Sequence, residues 1–259
     1  MKVVLLCAGY GTRLRPLTEN QPKPLLPVAG RPLLDHLLGK IKEIPSVDRI
    51  FVVTNERFHP HFSEWLEKKQ TPADGIELVN DGTRTEEERL GAIGDLGLVR
   101  RKFEIQDDLA VLAGDNLFDF SLKDFFRFAE SRRPHVSLGV VDVRDRERAS
   151  RYGIVRIGQD GKIAEFVEKP KAPPSTLAST GIYWFARESL DLLDRYIRES
   201  DNADRIGDFI HWLVKEDAVY AYPFEGKWLD IGDFDTYREA ERLFSKTPVR
   251  QTRIRKGSS

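Results

Sequence analysis

A single cysteine, Cys7, in 259 residues rules out an intrachain disulfide framework and leaves no cysteine set for a zinc site. No apolar run approaches the ~20 residues of a membrane-spanning helix. The start, MKVVLLCAGYG, lacks the apolar core and cleavage site of a signal peptide, so a cytoplasmic location is expected. Excess charge is missing too. A net charge of −1 argues against a general nucleic-acid or membrane-surface binder and confines any basic site to a local patch. The five histidines (36, 59, 61, 135 and 211) have no H-E-x-x-H spacing, and no serine lies in a G-x-S-x-G elbow. There is no internal repeat, and the only biased segment is the basic, polar tail 246–259.

What is present is a globular composition, 40% hydrophobic and 32% charged, in a chain long enough for a substantial core. Lys2–Ala8, Arg49–Thr54, Gly75–Val79 and Leu109–Ala113 are short, nearly continuous apolar runs, the pattern of strands buried on both faces. Pro32–Ile44 and His61–Lys69 carry helical spacing between them. This alternation predicts an α/β fold with a Rossmann-like mixed, mostly parallel sheet and helices on both faces. In the second half, Val136–Val143, Ser179–Ala186 and Val219–Phe224 read as strands, and Gly153–Val167 as a hairpin turning at Asp160-Gly161. Arg187–Ile197, Phe209–Lys215 and Phe234–Phe244 read as helices. No linker divides the chain, so residues 1–245 are expected to form one domain, with a nucleotide-binding first half and a tail after it.

The stretch LCAGYGTRLRPLT (6–18) follows the first strand. It is not a dinucleotide fingerprint, because Leu14 stands where the third glycine of G-x-G-x-x-G is needed. Nor is it a Walker A loop, since the first lysine is Lys23, beyond Pro16 and Pro22. Gly9 and Gly11 let backbone N–H groups approach an anion. Arg13 offers a planar fork for phosphate oxygens, and Lys23 a compact positive charge. Two glycines alone are equally a structural turn. Thr12, Arg13 and the KPLLPV run together point to phosphate binding.

G-Y-G-T-R-L-R-P-L-T (9–18) and P-K-P-L-L-P-V-A-G-R-P-L (22–33) closely resemble the signature of the sugar nucleotidylyltransferases, a family that includes glucose-1-phosphate thymidylyltransferases. The resemblance continues through G-D-N (114–116), Y-G (152–153), E-K-P (168–170), T-G-I-Y (180–183) and W-L-D-I-G-D (228–233), and spans residues 1–245. It implies the nucleotide-diphospho-sugar transferase fold and the reaction NTP + sugar 1-phosphate → NDP-sugar + pyrophosphate. Arg13 and Lys23 would be catalytic. Leu6, Ala8, Gly9, Gly11, Thr12, Arg13, Asp81, Gly82, Gly114 and Asp115 would hold the nucleotide. Asn116, Tyr152, Gly153, Glu168, Lys169, Thr180, Gly181 and Trp228 would hold the sugar phosphate. Asp115 and Asp230 would share one Mg²⁺, which favours one or two carboxylates plus phosphate oxygens. Trp228 can serve by packing or by stacking, and Asp233 is the expected cap of the last helix. Relatives are commonly dimers or tetramers, so a homo-oligomer using small-molecule substrates is the expected state.

The resemblance favours dTTP or UTP and glucose 1-phosphate. Thymidylyl and uridylyl enzymes usually read the base with a glutamine after the third strand, and NDGTRTEEERLGAIGDL (80–96) has none. Asp81 or a loop glutamate can accept instead from a cytosine amino group, which keeps a cytidylyltransferase open. Arg198 and Arg205 are the candidates for the arginine that thymidylyltransferases place before the helix at Asp208. A nucleotide-sugar glycosyltransferase would need a D-x-D-like motif where this chain has G-D-N. A non-catalytic regulatory homologue would tend to lose Arg13, Lys23 or one of the two aspartates, and all four are here. The sequence holds no hexapeptide repeats, so a second, acyl-transfer activity is not expected.

Overall fold

Nine strands drawn from both halves of the chain form the main sheet of the computed structural model, which describes residues 1–69, 75–200 and 204–245. The tail 246–259 lies outside them. From one edge to the other the strands run Ile163–Glu168, Gly153–Ile157, Leu177–Phe185, Leu109–Ala113, Lys2–Leu6, Arg49–Thr54 and Ile76–Asn80. The last four pair in parallel. The second half adds antiparallel ladders, and Val136–Asp142 pairs antiparallel with Leu177–Phe185 on one side and parallel with Val219–Pro223 on the other. This is the mixed sheet with a parallel core that the strand–helix alternation predicts.

Alternating side chains of the first strand feed two cores. Val3, Leu5 and Cys7 pack with the helices Leu33–Ile41, His59–Glu67 and Lys123–Ser131. Val4 and Ala8 face the opposite way, toward Gly91–Lys102, Leu190–Glu199 and Ile206–Glu216. Helices therefore cover both faces, which is what strands without polar alternation require. A third, smaller core joins the helix Phe234–Phe244 to two short ribbons, Pro27–Val28 with Arg31–Pro32 and Asn116–Phe118 with Trp228–Asp230. Asp233 caps that helix in a reciprocal capping box with Thr236, as expected.

The strand Leu177–Phe185 organises the centre. On one side its start pairs with Gly153–Ile157 (Ala178 opposite Ile154), and its end pairs with Leu109–Ala113 (Ile182 opposite Leu112). Its partner changes at Thr180-Gly181, where the register with Val136–Asp142 also shifts. Gly181 has φ +70°, and a Cβ on it would stand 2.8 Å from Asn116 Nδ2. Thr180's carbonyl, left without a strand partner there, accepts from Asn116 Nδ2 at 2.6 Å. The sheet thus splits at one point.

Most elements fall within two residues of the sequence reading, Arg49–Thr54, Leu109–Ala113 and Phe234–Phe244 at the same residues. Three α-helices, Gly91–Lys102, Lys123–Ser131 and the one-turn Arg146–Ala149, are not foreseen by it. The first contains three glycines, which disfavour helix in isolation. Packing reverses that preference, since a Cβ on Gly97 would stand 2.7 Å from Ile197 Cδ1. At the turn after Ala113, a Cβ on Gly114 would stand 2.4 Å from Cys7 Sγ and 2.8 Å from Leu6 O. Gly114→Ala is therefore expected to destabilise the protein by about 1–3 kcal/mol. Equal unfolding midpoints in urea for variant and parent would contradict this.

Candidate active site

The opening in the sheet is a cleft of about 310 Å³ beside Thr180-Gly181. Every residue assigned to the sugar phosphate lines it: Asn116, Tyr152, Gly153, Glu168, Lys169, Thr180, Gly181 and Trp228. Asp115 and Asp230 line it too. In the short ribbon Asp230 lies opposite Asn116, one residue from Asp115, and Ile231 N donates to Asp115 O at 3.0 Å. Two sequence-distant carboxylates are thereby brought together.

Their electrostatics are those of a charge-dense floor. Lys23 Nζ lies 2.6 Å from Asp115 Oδ2. Burial, and then the charge of Asp115, push the Asp230 carboxyl up to about 6, while Lys23, Arg13 and Lys169 pull it back. Burial also raises Glu168, which Lys169 at 3.7 Å opposes. The guanidinium of Arg13 lies over the W-L-D-I-G-D segment, because a Cβ on Gly232 would stand 3.1 Å from its Nη2. Lys169 sits at φ +46°, where a side chain is strained, directly after the strand Ile163–Glu168. Its N–H donates to Tyr152 O at 3.0 Å.

Apart from Asp115, the residues assigned to the nucleotide lie next to the cleft and outside its lining, around the carboxyl ends of the parallel strands. Leu6 O accepts from Gly114 N at 2.9 Å, and Ala8 O from Asn55 Nδ2 at 2.8 Å. Gly9 is exposed, with open space where a Cβ would stand. Gly11 turns the loop at φ +61° into the short 3-10 helix Thr12–Leu14, and Thr18 Oγ1 donates to its carbonyl at 2.7 Å. Gly82 is exposed at φ +82° after the strand Ile76–Asn80. Asp81, the candidate acceptor for the base, also braces its own loop. Its Oδ1 already accepts from Thr83 N at 2.7 Å and from Thr83 Oγ1 at 2.8 Å.

Two other readings are sharpened. Trp228 is buried and meets Tyr152 edge-on, ring centroids 5.0 Å apart, which is packing. Of the two candidate arginines, Arg205 lines the cleft, while Arg198 faces a separate surface hollow with Arg100 and Asp194. The sequence reading misses Asn55, Thr18, Arg151 and Ser179. Arg151 and Ser179 line the cleft, and Asn55 and Thr18 brace the first loop. The signal available for Asn55 is its place: a polar residue directly after a buried strand.

Residues 2–247 match the nucleotidyl transferase family. The chain belongs to the nucleotidyl transferase family. Among curated members, it is 30% identical over 233 residues to the bifunctional protein GlmU of Methanocaldococcus jannaschii, covering 90% of this chain and 51% of that protein. It is 32% identical to mannose-1-phosphate guanyltransferase beta-A of Xenopus laevis over 234 residues, covering 90% of this chain and 61% of that one. The chain thus spans between about half and three fifths of the length of these two relatives. Among solved structures it resembles a Bacillus anthracis protein provisionally named a glucose-1-phosphate thymidylyltransferase, in complex with a sucrose, with TM-score 0.82, 26% identity and 96% of each chain covered. Among the described residues of this nucleotidyl transferase, no helix is long and apolar enough to cross a membrane.

Asp230 generates a prediction on stability. A carboxyl whose folded titration point is raised above the unfolded one stabilises the fold at low pH, and that contribution disappears as pH rises through about 6. Asp230→Asn keeps a neutral group there. The variant should be more stable than the parent by about 1–3 kcal/mol at pH 8, with little difference at pH 4. Urea denaturation at both pH values measures it, and a gap independent of pH would count against the assignment.

Proposed function

We propose that this protein transfers a nucleotidyl group from an NTP to a sugar 1-phosphate, releasing pyrophosphate, with dTTP or UTP and glucose 1-phosphate as substrates. The observation that carries the reading is the position of Asp230 within the combined field of Asp115, Arg13, Lys23 and Lys169. Those residues come from five separate stretches, each of which the sequence reading had assigned to one phosphate chemistry.

The chemistry needs no general base, because a sugar phosphate is already an anionic nucleophile at neutral pH. One of its oxygens forms the new bond to the α-phosphorus while the bond to the β-phosphate bridging oxygen breaks, its electron pair leaving with pyrophosphate. The demand on the protein is to bring two polyanions together and to neutralise charge along the line of displacement. In this reading Arg13 stabilises the charge on the departing pyrophosphate, Lys23 the α-phosphate and Lys169 the incoming phosphate. Glu168, beside Lys169, accepts from sugar hydroxyls. The paired carboxylates of Asp115 and Asp230 suit a hard divalent cation. Bound Mg²⁺ would supply further neutralisation of phosphate oxygens.

One observation favours a second reading of the base. Residues 80–96 have no glutamine, and a relative at 32% identity is named a guanyltransferase. A cytidylyl or guanylyl transfer on the same site would follow. A matrix of five NTPs against several sugar 1-phosphates with Mg²⁺, scored by pyrophosphate release, decides between them, and no release in any combination overturns the function itself.

Arg13 is exposed, so its loss should leave folding intact. Arg13→Ala is expected to lower turnover by roughly a hundredfold or more while shifting stability by less than about 0.5 kcal/mol. Undiminished pyrophosphate release by the variant would remove Arg13 from the mechanism.

A further inference from the structure

Asp95 is a carboxyl group that the reaction above does not use. It lies on the helix Gly91–Lys102, 4% exposed, on a face otherwise built of Ile93, Leu96 and Val99. Its carboxyl interacts with that of Asp81, at the end of the strand Ile76–Asn80, and its field reaches the Cys7 thiol at the end of the first strand. Asp95 Oδ1 is buried, with no hydrogen-bond partner among the described residues.

The surrounding hydrogen bonds favour one of the two carboxyls as the holder of the proton. Asp81 Oδ1 receives two donors, Thr83 N–H and Thr83 Oγ1–H, which favour the ionised form at Asp81. The Thr83 hydroxyl proton is thereby used, so in the contact of 3.2 Å between Tyr10 Oη and Thr83 Oγ1 the tyrosine donates. Asp95 has no such donors and cannot remain buried beside an ionised Asp81 unless it carries a proton and donates it. Bonds run from Tyr10 through Thr83 to the Asp81 carboxylate, and a protonated Asp95 would donate to that same carboxylate. Tyr10 stands between Gly9 and Gly11.

We propose that Asp95 is a positioning residue for the nucleotide site, whose retained proton holds the Asp81–Thr83–Tyr10 bridge and so fixes the glycine loop against the segment 80–96. The inference rests on the reading of that loop as the triphosphate site. Burial, followed by the charge of Asp81, pushes the Asp95 carboxyl up to about 8, so the proton stays at neutral pH and leaves in mild alkali. The titratable groups facing the pair are Cys7 from the first strand and Tyr10 from the loop, with Glu88 and Arg57 around Tyr10.

The test is KM and kcat for the preferred NTP between pH 6.5 and 9.5, for the parent, Asp95→Asn and Asp81→Asn. If only the protonated form holds the loop, the parent's KM rises about tenfold per pH unit above the titration point while kcat at saturation changes little. Asp95→Asn supplies a neutral donor at every pH and should give a flat KM. Asp81→Asn should raise KM throughout. An alkaline rise persisting in Asp95→Asn, or a flat parent profile, overturns the proposal. A second readout needs no activity: the thermal midpoint of unliganded protein. The parent should fall progressively below Asp95→Asn as pH approaches 8 and level off beyond it, and parallel curves would refute the retained proton. Should no NTP be turned over, the midpoints still report on Asp95, so failure of the enzymatic reading remains separable.

Discussion

The site depends on one strand that cannot keep a single neighbour. Leu177–Phe185 pairs first with the hairpin strand and then with the parallel core, and the exchange at Thr180-Gly181 leaves the opening that the cleft occupies. A carbonyl freed from a ladder in the middle of a protein must find another donor. The Asn116 amide supplies it, and Thr180 Oγ1 anchors the same point to Gly139 O at 2.9 Å. Asn116 is buried and its donor is committed, so it holds the opening in shape while Asp115, its neighbour, faces the cleft. The bend that creates the cavity and the turn that delivers the carboxylate are one construction.

Around that opening the protein assembles opposite charges that partly satisfy each other. Lys23 on Asp115 and Lys169 on Glu168 keep the carboxylates from repelling freely, but Asp230 is left at the desolvated floor with a second carboxylate beside it. Under the proposed function, a cation and phosphates would complete this field. The raised Asp230 and the left-handed backbone at Lys169 are two local signs of the same arrangement, in which stability is given up where charge and direction are needed.

How much of this was legible in the sequence follows the range of the interactions. Apolar runs and their alternation with helical spacing located the parallel core, because burial acts residue by residue. Asp160-Gly161 and Asp233 were readable since turn and cap chemistry is local: Gly161 takes φ +80° and Asp233 accepts from Thr236 N. The helix Gly91–Lys102 was not, because its glycines are chosen by the helix it packs against. Asp81 illustrates the same limit within the site. Its position was readable, but the pairing of its carboxyl with Asp95, fourteen positions on, depends on a helix the local sequence does not announce. The cleft-lining set was legible only as a joint pattern; no single motif placed Gly153, Lys169 and Asp230 around one space.

The contact between Arg13 and Gly232 has a consequence for how the chain tolerates change. A Cβ at 232 would stand 3.1 Å from Arg13 Nη2, so the guanidinium would have to give way slightly to admit one. Substituting either residue alters what the other can be, although one lies in the first loop and the other just before the last helix. Effects of changes at the two positions should therefore not sum, and the beginning and end of this sequence form one mutational unit rather than two.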